Sequence, residues 1–401
     1  MIAEPRAASP DISAFVALCG RRRWTNRVAA LTDMGTGNSQ AARATLQRHA
    51  LELTLARMAD DPRAAASASR GERLILAFAR EAARLAGSLA PAPRARLVAL
   101  LRDGLEGEAT LIPLFHTLRI AAMQRARGFE VHFAGLADDS PHDLLIRREG
   151  REAEVVCETV SAEEGRPVQR GDWCALVDMV NPDLRTWLAA HPGRYLLKMT
   201  LPEGLQGPTR TAALHAQISA MLAAQKRQNA SGDAVMKLDP LILAGAQASL
   251  DPSLPSTLRA SFGHEAHLAV TGDRSGGSVF VMAARAGQEN AIASAVTRRM
   301  AAAASARLTG RRPGILAMFV EDLQRSEWRA LRETLELEGA ARRFLTLPAA
   351  KPVLAISCSS RMEMFGLAPP DAAEGGELRF RNQAHPSARD AAFLPAIASS
   401  V

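Results

Sequence analysis

At Gly128 the hydrophobic pattern of this 401-residue chain changes period, and that change limits the fold more than any other feature. Upstream, apolar residues recur at helical spacing over residues 40–58, 70–86, 94–105 and 108–127. Asn38 or Ser39 can cap the first of these helices, and residues 88–93 break the second from the third. Gly128 then stands where a helix ends, because glycine takes the left-handed backbone of a C-terminal cap without strain. Downstream the runs become short, aliphatic and bounded by turn formers: residues 129–133, 143–146 and 153–160 read as strands.

A helix over residues 182–191 and a continuous apolar strand at 194–201 (RYLLKMTL) follow. A long helix is expected at 211–229. Strands at 240–244, 267–271, 279–283, 314–320 and 352–356 alternate with helices at 289–307 and 325–338. Such alternation argues layered α/β structure. The expected division is a helical domain at 1–105, a core at 106–235, an α/β extension at 236–370 and a loose tail at 371–401, rich in Pro, Ala, Gly and Ser.

Composition excludes little but removes some chemistries. The formal net charge is +7, and arginine supplies nearly all the positive charge, since lysine occurs only at 198, 226, 237 and 351. Arginine suits phosphate recognition because its planar fork bonds two oxygens at once. The pairs Arg298/Arg299, Arg311/Arg312 and Arg342/Arg343 and the run 21–23 read individually as solvated faces or helix ends. The four cysteines, Cys19, Cys157, Cys174 and Cys358, form no CxxC and suggest neither zinc nor disulfides. No run approaches the roughly twenty apolar residues that span a bilayer, and residues 1–10 do not resemble a secretory signal, so a cytoplasmic location is expected.

Three further motifs read as structure. The glycine-rich segment at 35–39 lacks the lysine and the preceding strand of a phosphate loop, and reads as a turn before a helix. His264 and His267 are three apart, the wrong spacing for a helical zinc pair. Ser275–Ser278 reads as a hairpin turn. Trp173, Trp187 and Trp328 lie on apolar faces, and Trp24, beside residues 21–23, reads as helix packing ahead of base stacking.

The acids between residues 106 and 158 carry the chemistry. Pro141-His142-Asp143 opens a strand, a polar hairpin centred on Glu149-Gly150 follows, and the next strand reads Glu154-Val155-Val156-Cys157-Glu158. Side chains alternate along a strand, so Glu154, Val156 and Glu158 share a face. This order and spacing resembles the PD-(D/E)XK, restriction-endonuclease-like superfamily, with an αβββαβ core covering residues 108–202. The resemblance implies an α/β protein: a helical N-terminal domain, that core, and a C-terminal α/β extension.

By the resemblance Asp143 matches the motif aspartate, Val156 falls at the central acid and Glu158 at the lysine. Asp143 and Glu158 would hold Mg²⁺, Glu154 would substitute for the missing acid, and Glu108 (or Glu106) would assist from the preceding helix. Lys198 would be a migrated lysine or a structural ion pair. Metal-assisted phosphodiester cleavage needs converging acidic oxygens. Val156 therefore leaves two readings open: a DNA-interacting protein, nuclease or degenerate, and a scaffold using the same fold for protein partners. No G-x-S-x-G elbow supports a serine hydrolase.

Overall fold

A computed structural model describes residues 10–37, 39–241, 254–263, 265–272, 277–365, 367–368 and 371–399. The chain is mixed α/β, with a helical N-terminal region followed by two mixed sheets. It divides into two compact units: residues 1–34, 46–164 and 293–401 form the first, and residues 35–45 and 165–292 the second.

The expected helix at 40–58 is two helices, Gln40–Arg48 and Ala50–Asp60, because His49 leaves helical geometry between them. Ser39 accepts the Ala42 N–H at 3.0 Å and so supplies the first cap. Ser69 and Glu72 close a reciprocal capping box at the start of Arg70–Ser88. Trp24 is buried edge-on against Phe15, with ring centroids 5.7 Å apart, which satisfies it as packing. No described helix is long and apolar enough to cross a membrane.

The change of period falls where expected. Helix Ile112–Ala126 ends before Gly128, whose φ is 84°. Strands β1 (Glu130–His132), β2 (Leu144–Arg148) and β3 (Arg151–Ser161) then form an antiparallel meander. Glu149 and Gly150, both at positive φ, make the two-residue turn between β2 and β3, as a tight hairpin requires.

After β3 the second unit interrupts the first in sequence. It contributes β4 (Arg194–Leu201), β5 (Gln228–Ala230), β6 (Val235–Pro240), β7 (His267–Gly272) and β8 (Val279–Ala286), paired in the order β5-β6-β4-β8-β7. Its own core gathers around Trp173, Leu184, Leu197, Ile218 and Phe280. The unit ends beside its start: Gly165 accepts the Ala291 N–H at 2.7 Å. Strands β7 and β8 are antiparallel around residues 273–278, as a hairpin there predicts, although residues 273–276 and His264 lie outside the described residues.

The chain then re-enters the first sheet through helix Ile292–Arg307, β9 (Gly314–Glu321), β10 (Val353–Ser360) and β11 (Leu378–Arg381), giving the order β1-β2-β3-β9-β10-β11. The fourth strand beside the meander is therefore β9, parallel to β3 with Val160 opposite Val320. The strand expected in that place, residues 194–201, belongs to the other sheet, where it pairs with β6 and β8. Both are apolar strands preceded by a helix, so the pattern alone does not distinguish them. β9 is buried along nearly its whole length and β10 throughout, as suits central parallel strands.

The expected loose tail is packed. β11 pairs antiparallel with β10, and Phe393, Ala396 and Ile397 enter the core that also holds Phe115, Leu118 and Ile315.

Candidate functional site

β3 is longer than β2, and the site lies where they part. Leu144 is opposite Val155, and beyond that point β3 has no ladder partner on its β2 side. The Asp143 side chain takes over: its Oδ2 accepts the Cys157 N–H at 2.7 Å, while its backbone N–H donates to Val155 O at 3.1 Å. Asp143 thus caps a free strand edge, satisfying a buried donor that would otherwise be orphaned.

Arg307, the last residue of its helix, closes the fork. Its Nη2 donates to Asp143 Oδ1 at 2.7 Å and its Nη1 to Glu158 Oε1 at 2.8 Å. The same guanidinium reaches Pro141 O through Nε at 2.8 Å and Cys157 O through Nη1 at 3.3 Å. An arginine has five N–H donors, so these four bonds nearly saturate it. Burial disfavours the Arg307 charge, but the Asp143 and Glu158 carboxylates outweigh that and push its pKa up. Burial raises the Asp143 carboxyl above the usual aspartate range despite Arg307 and the Cys157 N–H.

Asp143 and Glu158 therefore come together, on a guanidinium. Glu154 does not join them. It is fully buried and holds the Thr309 N–H at 2.8 Å and the Thr309 hydroxyl, in the loop between Arg307 and β9. Glu106 and Glu108 precede the helix they were expected to occupy, which begins at Ile112. Glu106 faces Arg23 at 3.9 Å, and among the described residues Glu108 lends only its carbonyl, to Arg48 at 3.5 Å. Lys198 lies on β4 in the second unit and pairs with Asp239 at 3.4 Å.

Mg²⁺ commonly takes one or two carboxylates and completes its octahedron with water, but here the Arg307 guanidinium already stands between Asp143 and Glu158. Val156, where the sequence resemblance expected the central acid, is wholly buried. Among the described residues no group of three His, Cys, Asp or Glu side chains is placed to hold a metal.

Beside the fork opens a cleft of about 830 Å³, whose walls include Leu114, Thr117, Phe133, Asp143, Glu158 and Arg307. Arg48, Arg96 and Glu321 also line it. Burial, reinforced by Asp322, pushes the Glu321 carboxyl up to about 7, with Arg48 acting against the shift. Arg48 itself holds both Asp322 oxygens at 3.2 Å, and Ser161 donates to the same carboxylate at 2.6 Å. Cys157 lines the cleft, and burial drives its thiol well above the usual range, which disfavours the reactive thiolate.

Arg307 and Glu321 are the site residues that motif reasoning did not single out. Arg307 carried one signal, a cation at a helix C-terminus, which ordinarily reads as a partner for the helix dipole. Glu321 carried none beyond its place at a strand end.

Fold and site together define a mixed α/β protein in which two carboxylates at a strand fork are bridged by an arginine beside a cleft. Comparison with protein-family models, with curated proteins and with solved structures finds no match.

Proposed function

We propose that residues 112–161 and 292–321 form a PD-(D/E)XK-like core that faces DNA without cleaving it. The observation that carries this reading is the Asp143–Arg307–Glu158 clamp, in which a guanidinium fills the space the superfamily's chemistry would give to a metal ion. The helix, three-strand meander, helix and parallel strand around the clamp follow the superfamily's order, with the second unit inserted between β3 and the crossover helix. The arginine-rich balance and net charge of +7 suit a polyanionic partner.

Two measurements test the proposal together. Incubation with Mg²⁺ or Mn²⁺ on single- and double-stranded DNA is expected to give no cleavage, and cleavage abolished by Asp143→Asn would overturn the degenerate reading. Binding to the same DNA is expected at about 50 mM salt and should fall steeply as salt rises, because phosphate contacts release counterions.

A second reading, a scaffold for protein partners, is favoured by the cleft wall. Leu100, Leu111, Leu114, Phe133 and Leu136 line it, and its acids and arginines are mixed where a nucleic-acid groove would be uniformly basic. Failure to bind DNA even at about 50 mM salt selects this reading over the first.

A further inference from the structure

The cleft beside the clamp opens onto the unpaired edge of β3. Backbone groups alternate in direction along a strand. Glu154 turns its N–H toward β9, donating to Pro313 O at 2.9 Å, so Val155, Cys157 and Thr159 turn their carbonyls to the open side. The first of these accepts the Asp143 N–H at 3.1 Å, and the second accepts Arg307 Nη1 at 3.3 Å. Thr159 comes third. Beyond Val155 no ladder partner lies on this side, and among the described residues the Thr159 carbonyl accepts no hydrogen bond. Thr159 lines the cleft.

A second acceptor faces the same space. Glu321 ends β9 opposite Ser161, so it shares a sheet face with Thr159, one pleat away. It lines the cleft, and among the described residues its carboxyl makes no hydrogen bond or ion pair. Arg48, the neighbouring cation, is turned to both oxygens of Asp322 at 3.2 Å. Burial raises the Glu321 carboxyl to about 7, with Asp322 and Glu52 adding to the shift and Arg48 and Arg361 opposing it.

Around the cleft, acids outnumber cations. Asp103, Asp143, Glu158 and Glu321 line it, against Arg48, Arg96 and Arg307. Each arginine is already matched: Arg48 by Asp322 at 3.2 Å, Arg96 by Asp139 at 3.8 Å, and Arg307 by Asp143 and Glu158. Asp103 and Glu321 are left over. The remaining wall is largely apolar, with Leu100, Leu111, Leu114, Phe133 and Leu136. Its volume of about 830 Å³ lies within the range of small-molecule pockets, about 300–1,000 Å³.

We propose that the cleft binds a small apolar ammonium compound, its cation on the Glu321 carboxylate and the Thr159 carbonyl, its hydrocarbon body against the leucines and Phe133. An ammonium group has N–H donors and no acceptor, which suits a site whose open groups are both acceptors. Its charge offsets the acid left over, and a bond to a charged group is about twice as strong as a neutral one. An anion of the same shape meets carboxylates instead. The site goes beyond the DNA-facing and scaffold functions and asks nothing of either partner.

Calorimetric titration of the full chain with 2-phenylethylammonium chloride tests this, beside neutral 2-phenylethanol and anionic 3-phenylpropanoate at matched ionic strength. The ammonium is expected to bind saturably and at least about tenfold more tightly than the alcohol, the difference one charge-assisted contact makes. The anion is expected not to bind. Glu321→Gln keeps the shape and removes the charge, and should weaken ammonium binding at least about tenfold at a retained melting temperature. No histidine lines the cleft among the described residues, so Glu321 is the group that titrates there near neutrality. Wild-type affinity should therefore rise up to about tenfold from pH 6 to pH 8, as this carboxyl ionises while the amine stays charged. In Glu321→Gln that rise should be absent. No saturable binding of the ammonium, equal binding of the alcohol, or unchanged affinity in Glu321→Gln overturns the proposal, whether or not the protein binds DNA.

Discussion

Arg307 and Arg312 flank the same short loop, and the contrast between them separates a saturated arginine from one with donors left over. Arg307 spends four of its five N–H groups on Asp143, Glu158 and two carbonyls of the first unit. Arg312 spends its Nε on Glu152 and, among the described residues, hydrogen-bonds nothing else. Both are cations beside carboxylates, and composition treats them alike. What differs is saturation: the first guanidinium bridges a strand fork, and the second has Nη groups that carry no hydrogen bond among the described residues.

The strongest way to break this contrast is Arg307→Ala. It leaves two largely buried carboxylates facing each other, and should destabilise the first unit by about 2–4 kcal/mol in denaturant unfolding. Mg²⁺ is expected to leave the wild-type melting temperature unchanged and to raise that of Arg307→Ala, because the freed acids then favour a cation. A wild-type rise with Mg²⁺ would mean that the clamp opens to admit metal. Glu154→Ala comes next. Removing the acceptor of the Thr309 N–H and hydroxyl should cost about 1–3 kcal/mol, and DNA binding should persist if Glu154 serves only the loop.

Glu321→Gln acts in the opposite direction and depends on pH. The folded carboxyl titrates near 7, above its unfolded value, so the native state binds the proton more tightly. Wild-type stability from this group is therefore full at low pH and is lost as pH rises toward 7. The amide should be neutral near pH 4 and stabilising by about 1–3 kcal/mol at pH 8, read as the difference between melting curves at the two pH values. The smallest effect belongs to Arg147→Gln. Its side chain is about half exposed and pairs with Glu152, so its loss should change stability by less than about 1 kcal/mol, read as the midpoint of denaturant unfolding.

Much of this arrangement was legible before any coordinates. Glu149-Gly150 announced the hairpin, and the spacing from Asp143 to Glu158 placed two acids at one strand end, where they do meet. The fourth strand was not legible, because RYLLKMTL at 194–201 and the run at Gly314–Glu321 are both apolar strands after a helix. Proximity in sequence favours the first, and only pairing with β3 distinguishes the second. The clamp was hidden for the same reason: Arg307 reaches Asp143 through a helix that follows the entire inserted unit. The tail misled through its composition, since Phe380, Phe393 and Ile397 anchor a segment otherwise rich in small residues and proline.

The insertion has a consequence for how the chain is made. β3 emerges with β2 beside it, but its other edge waits for β9, and Val160 meets Val320 only after the second unit has left the ribosome. That unit's sheet draws all five strands from residues 194–286, so it can assemble while the first sheet is still half built. Throughout that interval a strand that is buried at its centre in the finished fold stands with open backbone groups, the condition under which chains pair wrongly. Synthesis thus passes through a stage at which chaperone demand should peak, set by the position of one insertion.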